Sequence, residues 1–108
     1  MPIIAELYIK ENGEYRGKLK TLTLSKSIVL TPIDPDGDEN KPVYRTYVGG
    51  CEAGGGWNRV SRDGNDYIAV QIDGPELPAP IYANLITTTD PETGEARYFL
   101  MWNRKKDD

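Results

Sequence analysis

Apolar and β-branched residues recur along this chain in short runs. No window holds them at helical three-, four- and seven-residue spacing through three turns. The pattern predicts strands at 3–9, 15–24, 27–33, 43–48, 57–62, 66–73, 80–89 and 96–104. Turn formers separate them: Asn12-Gly13, "DPDGDENKP", Gly49-Gly50, Asp63-Gly64 and "DPETGE". "GPELPAP" (74–80) carries three prolines, which excludes a central strand and suggests an extended edge or a crossover. Beyond Lys20 the apolar parity moves to Leu22 and Leu24, which predicts a bulge near Thr21. The whole predicts one all-β domain over residues 1–108, with little or no helix. Its strands would form a small antiparallel barrel or sandwich, because closure or pairing must hide the edges. The tail "RKKDD" (104–108) is read as frayed.

One hairpin carries most of the information. In "DYIAVQID", Ile68, Val70 and Ile72 share one face, and Tyr67, Ala69, Gln71 and Asp73 share the other. The Ile/Val face belongs to the core. A two-residue loop at Asp63-Gly64 or Gly64-Asn65 would turn Trp57, Arg59 and Ser61 onto that face and bury Arg59 without a partner. A three-residue loop, Arg62-Asp63-Gly64 with Gly64 left-handed, shifts the register by one. Val60 then joins the core face, and Trp57, Arg59 and Ser61 lie outside beside Tyr67, Ala69 and Gln71. The second arrangement is favoured because it leaves Arg59 in water. The outer face so formed, Trp57, Arg59, Tyr67 and Gln71, suits base stacking or a protein interface. The plainer alternative is that a second β layer or a loop covers Trp57.

"YRGKLK" adds a second basic feature. Arg16, Lys18 and Lys20 alternate onto one strand face, where like charges most often serve as a solvated surface or protect an edge. If that face adjoined Trp57, the two would make a basic groove with aromatic platforms.

Composition narrows the chemistry. Hydrophobic residues make up 38% and charged residues 28%, low but still globular. No apolar run approaches the roughly 18 residues of a membrane span. The first residues lack the basic, apolar and small-residue succession of a signal peptide, so cytoplasmic location is the default expectation. Cys51 is the single cysteine and histidine is absent. That removes an intrachain disulfide, a thiol-ligated zinc site, and the Ser-His and Cys-His nucleophile pairs.

The acids fall mostly in turns, where carboxylates are ordinary turn formers. "DPDGDEN" resembles a calcium loop only superficially, lacking the sixth-position glycine and the twelfth-position glutamate. "GGCEAGGG" has no Lys-Ser/Thr ending to cradle phosphate, so its glycines are read as permitting a bulge, a bend or a flexible connection. Cys51 is read as structural. No catalytic residue, metal site or cofactor is therefore expected. The net charge of −4 disfavours nonspecific duplex binding but leaves room for a local basic stripe.

Together "LKTLTL", the stretch from Val43 to Leu85 and the closing "YFLMWNR" resemble the small bacterial proteins of domain-of-unknown-function family 736. The segment from Gly56 to Leu85 is the most distinctive. Members are common among genes of plasmids and other mobile elements. The resemblance brings no established activity and no catalytic residues to map. Where members often carry a basic residue after the tryptophan, this chain has Asn58, followed by Arg59.

The first expectation is a non-enzymatic binding module of a mobile element. Single-stranded DNA or RNA would stack on Trp57 and Tyr67, with phosphates neutralised by Arg59, Arg16, Lys18 and Lys20. The alternative is a protein-interaction module or inhibitor of a host factor, engaging a basic partner through Asp36, Asp38 and Glu39. No membrane partner is expected. Self-association through an edge strand or the Trp57 face is compatible with the sequence.

Overall fold

Alternation alone places "IIAELYI" as a strand, and in the computed structural model, which describes residues 3–34, 36–37 and 40–103, it is β1 (Ile3–Ile9). Seven more strands follow in chain order. They are β2 (Tyr15–Lys20), β3 (Ser25–Pro32), β4 (Tyr44–Val48), β5 (Cys51–Val60), β6 (Asp66–Ile72), β7 (Ile81–Thr89) and β8 (Ala96–Asn103). Each pairs antiparallel with its neighbour, and β8 returns to β1 to close a barrel. Barrel, not sandwich, is thus the architecture. Among the described residues there is no helix, and so none long and apolar enough to cross a membrane.

Several expectations about the connections need correcting. The strand expected at 15–24 stops at Lys20. No bulge forms at Thr21: its Oγ1 accepts from the backbone N–H groups of Thr23 and Leu24, and its own N–H bonds to the Leu24 carbonyl. A hydroxyl that satisfies local donors makes a turn, and Leu22 stands fully exposed at its tip. "GPELPAP" is neither edge nor crossover, because it links the adjacent strands β6 and β7, with Leu77 packed against the core. The glycine run is not a loop. It lies inside β5, which begins at Cys51 after a Gly49-Gly50 turn with φ of 60° and 85°. The β4–β5 register shifts between Thr46 and Tyr47, so a bulge does occur in the glycine-rich stretch. At Gly54 (φ 154°) a Cβ would fall on the Gln71 carbonyl oxygen, so only glycine fits. The tail at 104–108 lies outside the described residues.

The inward set is Ala5, Leu7, Leu19, Ile28, Leu30, Val70, Ile72, Ala83, Leu85 and Leu100, with Leu19, Ile28, Leu30 and Leu100 wholly buried. Fully burying one such large side chain contributes about 1.5–3 kcal/mol. Gly17 faces inward opposite Leu7, and the Glu6 carbonyl together with the Leu7 side chain takes the space that a Cβ would need. Thr46 is also wholly buried, and its hydroxyl finds no partner. Apolar side chains point in, while Glu6, Arg16, Lys18, Lys20 and Arg45 are solvent-facing on the outer wall.

The ladders do not all run to the barrel's end. At the end that bears the 61–65 and 90–95 turns, three seams lose their pairing. The β4–β5 ladder ends at Tyr44 and Gly56, and the incoming 40–43 segment covers the gap. There Val43 N–H donates to the Gly56 carbonyl at 2.8 Å. The β1–β8 ladder ends at Leu7 and Tyr98. Beside it Arg97 grips Glu6 with two hydrogen bonds of 2.9 and 3.0 Å. The β6–β7 ladder ends at Ile68 and Leu85, with neither a covering segment nor an ion pair across it among the described residues.

Candidate functional site

The β5–β6 hairpin turns through Arg62-Asp63-Gly64. Ser61 N–H donates to the Asn65 carbonyl at 2.9 Å, and Gly64 has φ of 85°. Trp57 therefore pairs with Ala69, Arg59 with Tyr67, and Gly55 with Gln71, all on the outer wall. Parity is as expected, but depth is not. Val60 shares the core-facing parity yet lies beyond the core at the barrel's rim, 65% exposed.

A loop does cover Trp57. Its ring folds back over Gly55, where a Cβ would meet the indole Cη2 at 3.2 Å and the Pro42 Cβ at 3.0 Å. Its Nε1–H donates to the Asn40 carbonyl at 3.1 Å. The indole is half-buried, and its polar edge is engaged within the chain. Arg59 is exposed and donates to the carbonyl of its own neighbour, Asn58.

The outer wall continues beyond the hairpin. Tyr82 stands opposite Gln71 and Asn84 opposite Ala69. On β8, Phe99 stands opposite Ile86 and Met101 opposite Asn84. Trp57, Tyr67, Tyr82, Ile86, Phe99 and Met101 are all half-buried and share this outer surface of four adjacent strands. Ile3, paired with Met101 and 56% exposed, extends it onto β1. Sequence reasoning missed β7 and β8 here. The available signal was that "ARYFLMWN" carries large apolar residues on both faces, Phe99 and Met101 on one and Tyr98, Leu100 and Trp102 on the other.

The basic stripe does not join the Trp57–Tyr67 hairpin. Arg16, Lys18 and Lys20 lie on the outer wall of β2, three strands from β5 and four from β6, on the other side of the barrel. Arg16 is already committed to Glu14, by an ion pair of 3.0 Å. Burial would raise the Glu14 carboxyl, but the Arg16 and Asn12 hydrogen bonds, the Arg16 charge and Thr31 outweigh it and hold the group below the usual carboxylate range. Of the acidic-loop candidates, Asp36 is exposed, and Asp38 and Glu39 lie outside the described residues. With it at this end are Glu11, Glu14, Asp63, Asp66, Asp90, Glu92 and Glu95, in or beside the other turns.

Inside the mouth at this end, the Tyr15 ring makes edge contacts with Tyr44 at 5.7 Å and Tyr98 at 5.2 Å. Burial, with Tyr44 and Tyr98 beside it, pushes the Tyr15 phenol up to about 12. Such a group stays neutral near pH 7 and is a poor general base. Among the described residues no three metal-ligating side chains gather.

A family model described as "Protein of unknown function (DUF736)" matches residues 3–105, nearly the whole chain. The chain belongs to the DUF736 family. No curated protein and no solved structure matches it. Within the family's description nothing assigns a ligand, so the outer surface of β5–β8 has to be read on its own chemistry.

Proposed function

We propose that this DUF736 protein is a non-catalytic protein-interaction module whose docking surface is the outer wall of β5–β8. The observation that supports it is the shared surface of Trp57, Tyr67, Tyr82, Ile86, Phe99 and Met101, with Arg59 at its side. Aromatic residues, methionine and arginine are the types enriched in the cores of protein interfaces, where other charges are depleted. Single-strand recognition instead combines stacking rings with a cationic track in one groove. Here the Trp57 and Tyr67 rings lie three and four strands from the β2 cations, and the Trp57 indole is partly covered by the chain itself. The reading fits a cytoplasmic bacterial product of a mobile element that acts on another protein.

The test is site-specific. A photo-crosslinking residue replaces Asn84, at the centre of the surface, or Ser27, on the opposite wall, in protein expressed in its native host. A discrete protein adduct from the Asn84 position and none from Ser27 is expected. In parallel, labelled single-stranded DNA and RNA are titrated at low and moderate salt, with no saturable binding expected. Nucleic-acid adducts, or equal protein adducts from both walls, would overturn the reading.

A further inference from the structure

The open seam between β6 and β7 presents backbone groups with nothing to pair to. Hydrogen-bond alternation identifies them. Ser61 and Asn65 form a bonded pair, so counting by twos the Tyr67 backbone faces β5, while those of Asp66 and Ile68 face β7. Asp90 N–H donates to the Glu95 carbonyl, so the Thr88 backbone faces β8, while those of Leu85, Thr87 and Thr89 face β6. Ile68 and Leu85 satisfy each other as the last rung. Beyond them Asp66 on one wall and Thr87 on the other turn their N–H and C=O groups into a groove of about 700 Å³, and Thr89 continues the same unpaired edge past it. Tyr67, Asn84 and Ile86 line it, so the groove is continuous with the outer surface described above.

Each of the other two seams is dealt with by the chain. The 40–43 segment occupies one, and the Glu6–Arg97 pair bridges the other at its last rung, beside a smaller groove of about 410 Å³ along Tyr8, Ile9 and Ala96. The β7 edge has no such device. Edges are ordinarily blunted by charge, proline or a bulge, yet Ile86-Thr87-Thr88-Thr89 is β-branched throughout, uncharged and regular. The groove itself is lined by one charge of each sign, Arg62 and Asp66, and the 61–65 and 90–95 turns that flank it add Asp63, Asp90, Glu92 and Glu95.

We infer that this groove receives an extended, basic segment of a partner protein, which adds as a strand to the free β7 edge at Thr87 and Thr89. The inference rests on the reading of the chain as a protein-interaction module and supplies the partner's form. Main-chain bonds give such strand addition its affinity, and alternate side chains give it specificity. Here alternate residues of the segment lie over Ile86 and Tyr67, and flanking Lys or Arg residues meet the acids of the two turns.

The experiment begins with selection from a random-peptide phage library against the full-length protein. A selected peptide is then remade with N-methyl groups on either the odd or the even amides. Strand addition uses only alternate amides toward the edge, so one methylated set should lose at least about tenfold in affinity and the other should bind nearly as before. Thr87→Pro should abolish binding while keeping the fold, since its N–H faces the groove and not β8. If that variant unfolds, the methylated peptides still decide the matter on unmodified protein.

Equal effects of the two methylated sets, no enriched peptide, or a selected sequence without basic residues would each overturn the inference. So would β7-mediated dimerisation, seen in sedimentation and abolished by Thr87→Pro, because a second copy would then be the occupant. Tyr82→Ala with Phe99→Ala separates the two proposals. Parity-blind binding lost in that double variant leaves the outer-surface reading standing and removes the strand. Parity-dependent binding indifferent to it does the opposite.

Discussion

The two halves of the barrel wall solve the same problem differently. From β1 to β4 the ladders run close to the turns, and the outer wall mixes Tyr8, Val29 and Tyr47 with charged residues, Arg16 and Arg45 each paired to a nearby acid. From β5 to β8 the hairpins are longer, outrun their neighbours at one end, and carry rings on the outer wall. Yet both halves feed one interior, with Leu19, Ile28 and Leu30 from the first and Val70, Leu85 and Leu100 from the second. The difference is therefore not one of stability, since the apolar interior that secures the fold is shared. It lies in which wall has been left available to a partner.

The largest expected effect tests that sharing. Leu100 is wholly buried on β8, the strand that closes onto β1. Leu100→Ala removes buried methyl groups and leaves a cavity, and should cost about 2–5 kcal/mol in chemical denaturation. Both halves should unfold in one transition. Two separated transitions by fluorescence and circular dichroism would mean that the halves are independent, and the comparison would have to be redrawn.

An intermediate effect comes from the tyrosine cluster, where Tyr15 of β2 meets Tyr44 of β4 on one side and Tyr98 of β8 on the other. Burial raises the Tyr15 phenol in the folded state from about 10 to about 12. The fold thus binds this proton more tightly than the unfolded chain does. The stabilisation is complete below about pH 10 and is lost as pH rises toward about 12. Tyr15 is only partly enclosed, so solvent screening keeps the effect below that of a deep core change. In Tyr15→Phe the fall of melting temperature over this window should be shallower than in wild type. An unchanged slope would show that the cluster does not couple the halves through this proton.

What the sequence disclosed, and what it withheld, follows the same division of scales. Alternation located β1 to the residue, and the unfavourable burial of Arg59 selected the three-residue loop and the outward face of Trp57. These are local or nearest-neighbour effects. Parity gives a direction and not a depth, so Val60 could be assigned to the inner face without revealing that it stands at the rim. Glycine carries no side-chain pattern, so the first half of β5 read as a connection. The cover over Trp57 comes from residues 17 positions away, and the distance between the β2 cations and the hairpin follows from strand order. Neither could be read from any short window.

The smallest effect concerns the two seams that flank the β7–β8 hairpin. One is held by Glu6 and Arg97, whose guanidinium also lies 5.0 Å from the Phe99 ring centre, and the other is open. Exposed pairs of this kind move global stability very little, so melting curves are the wrong instrument for Glu6→Gln. Amide hydrogen exchange reports local opening instead. The Tyr98 amide, on the last rung of the β1–β8 ladder, should exchange faster in Glu6→Gln. The Ile68 amide, on the last rung of the β6–β7 ladder, should keep its rate. That outcome would leave the β6–β7 seam open by construction of the ladder and the last rung of the β1–β8 seam held by one side-chain contact. If both amides quickened together, the whole β7–β8 hairpin would be moving as a unit, and the two seams would be two sides of one hinge.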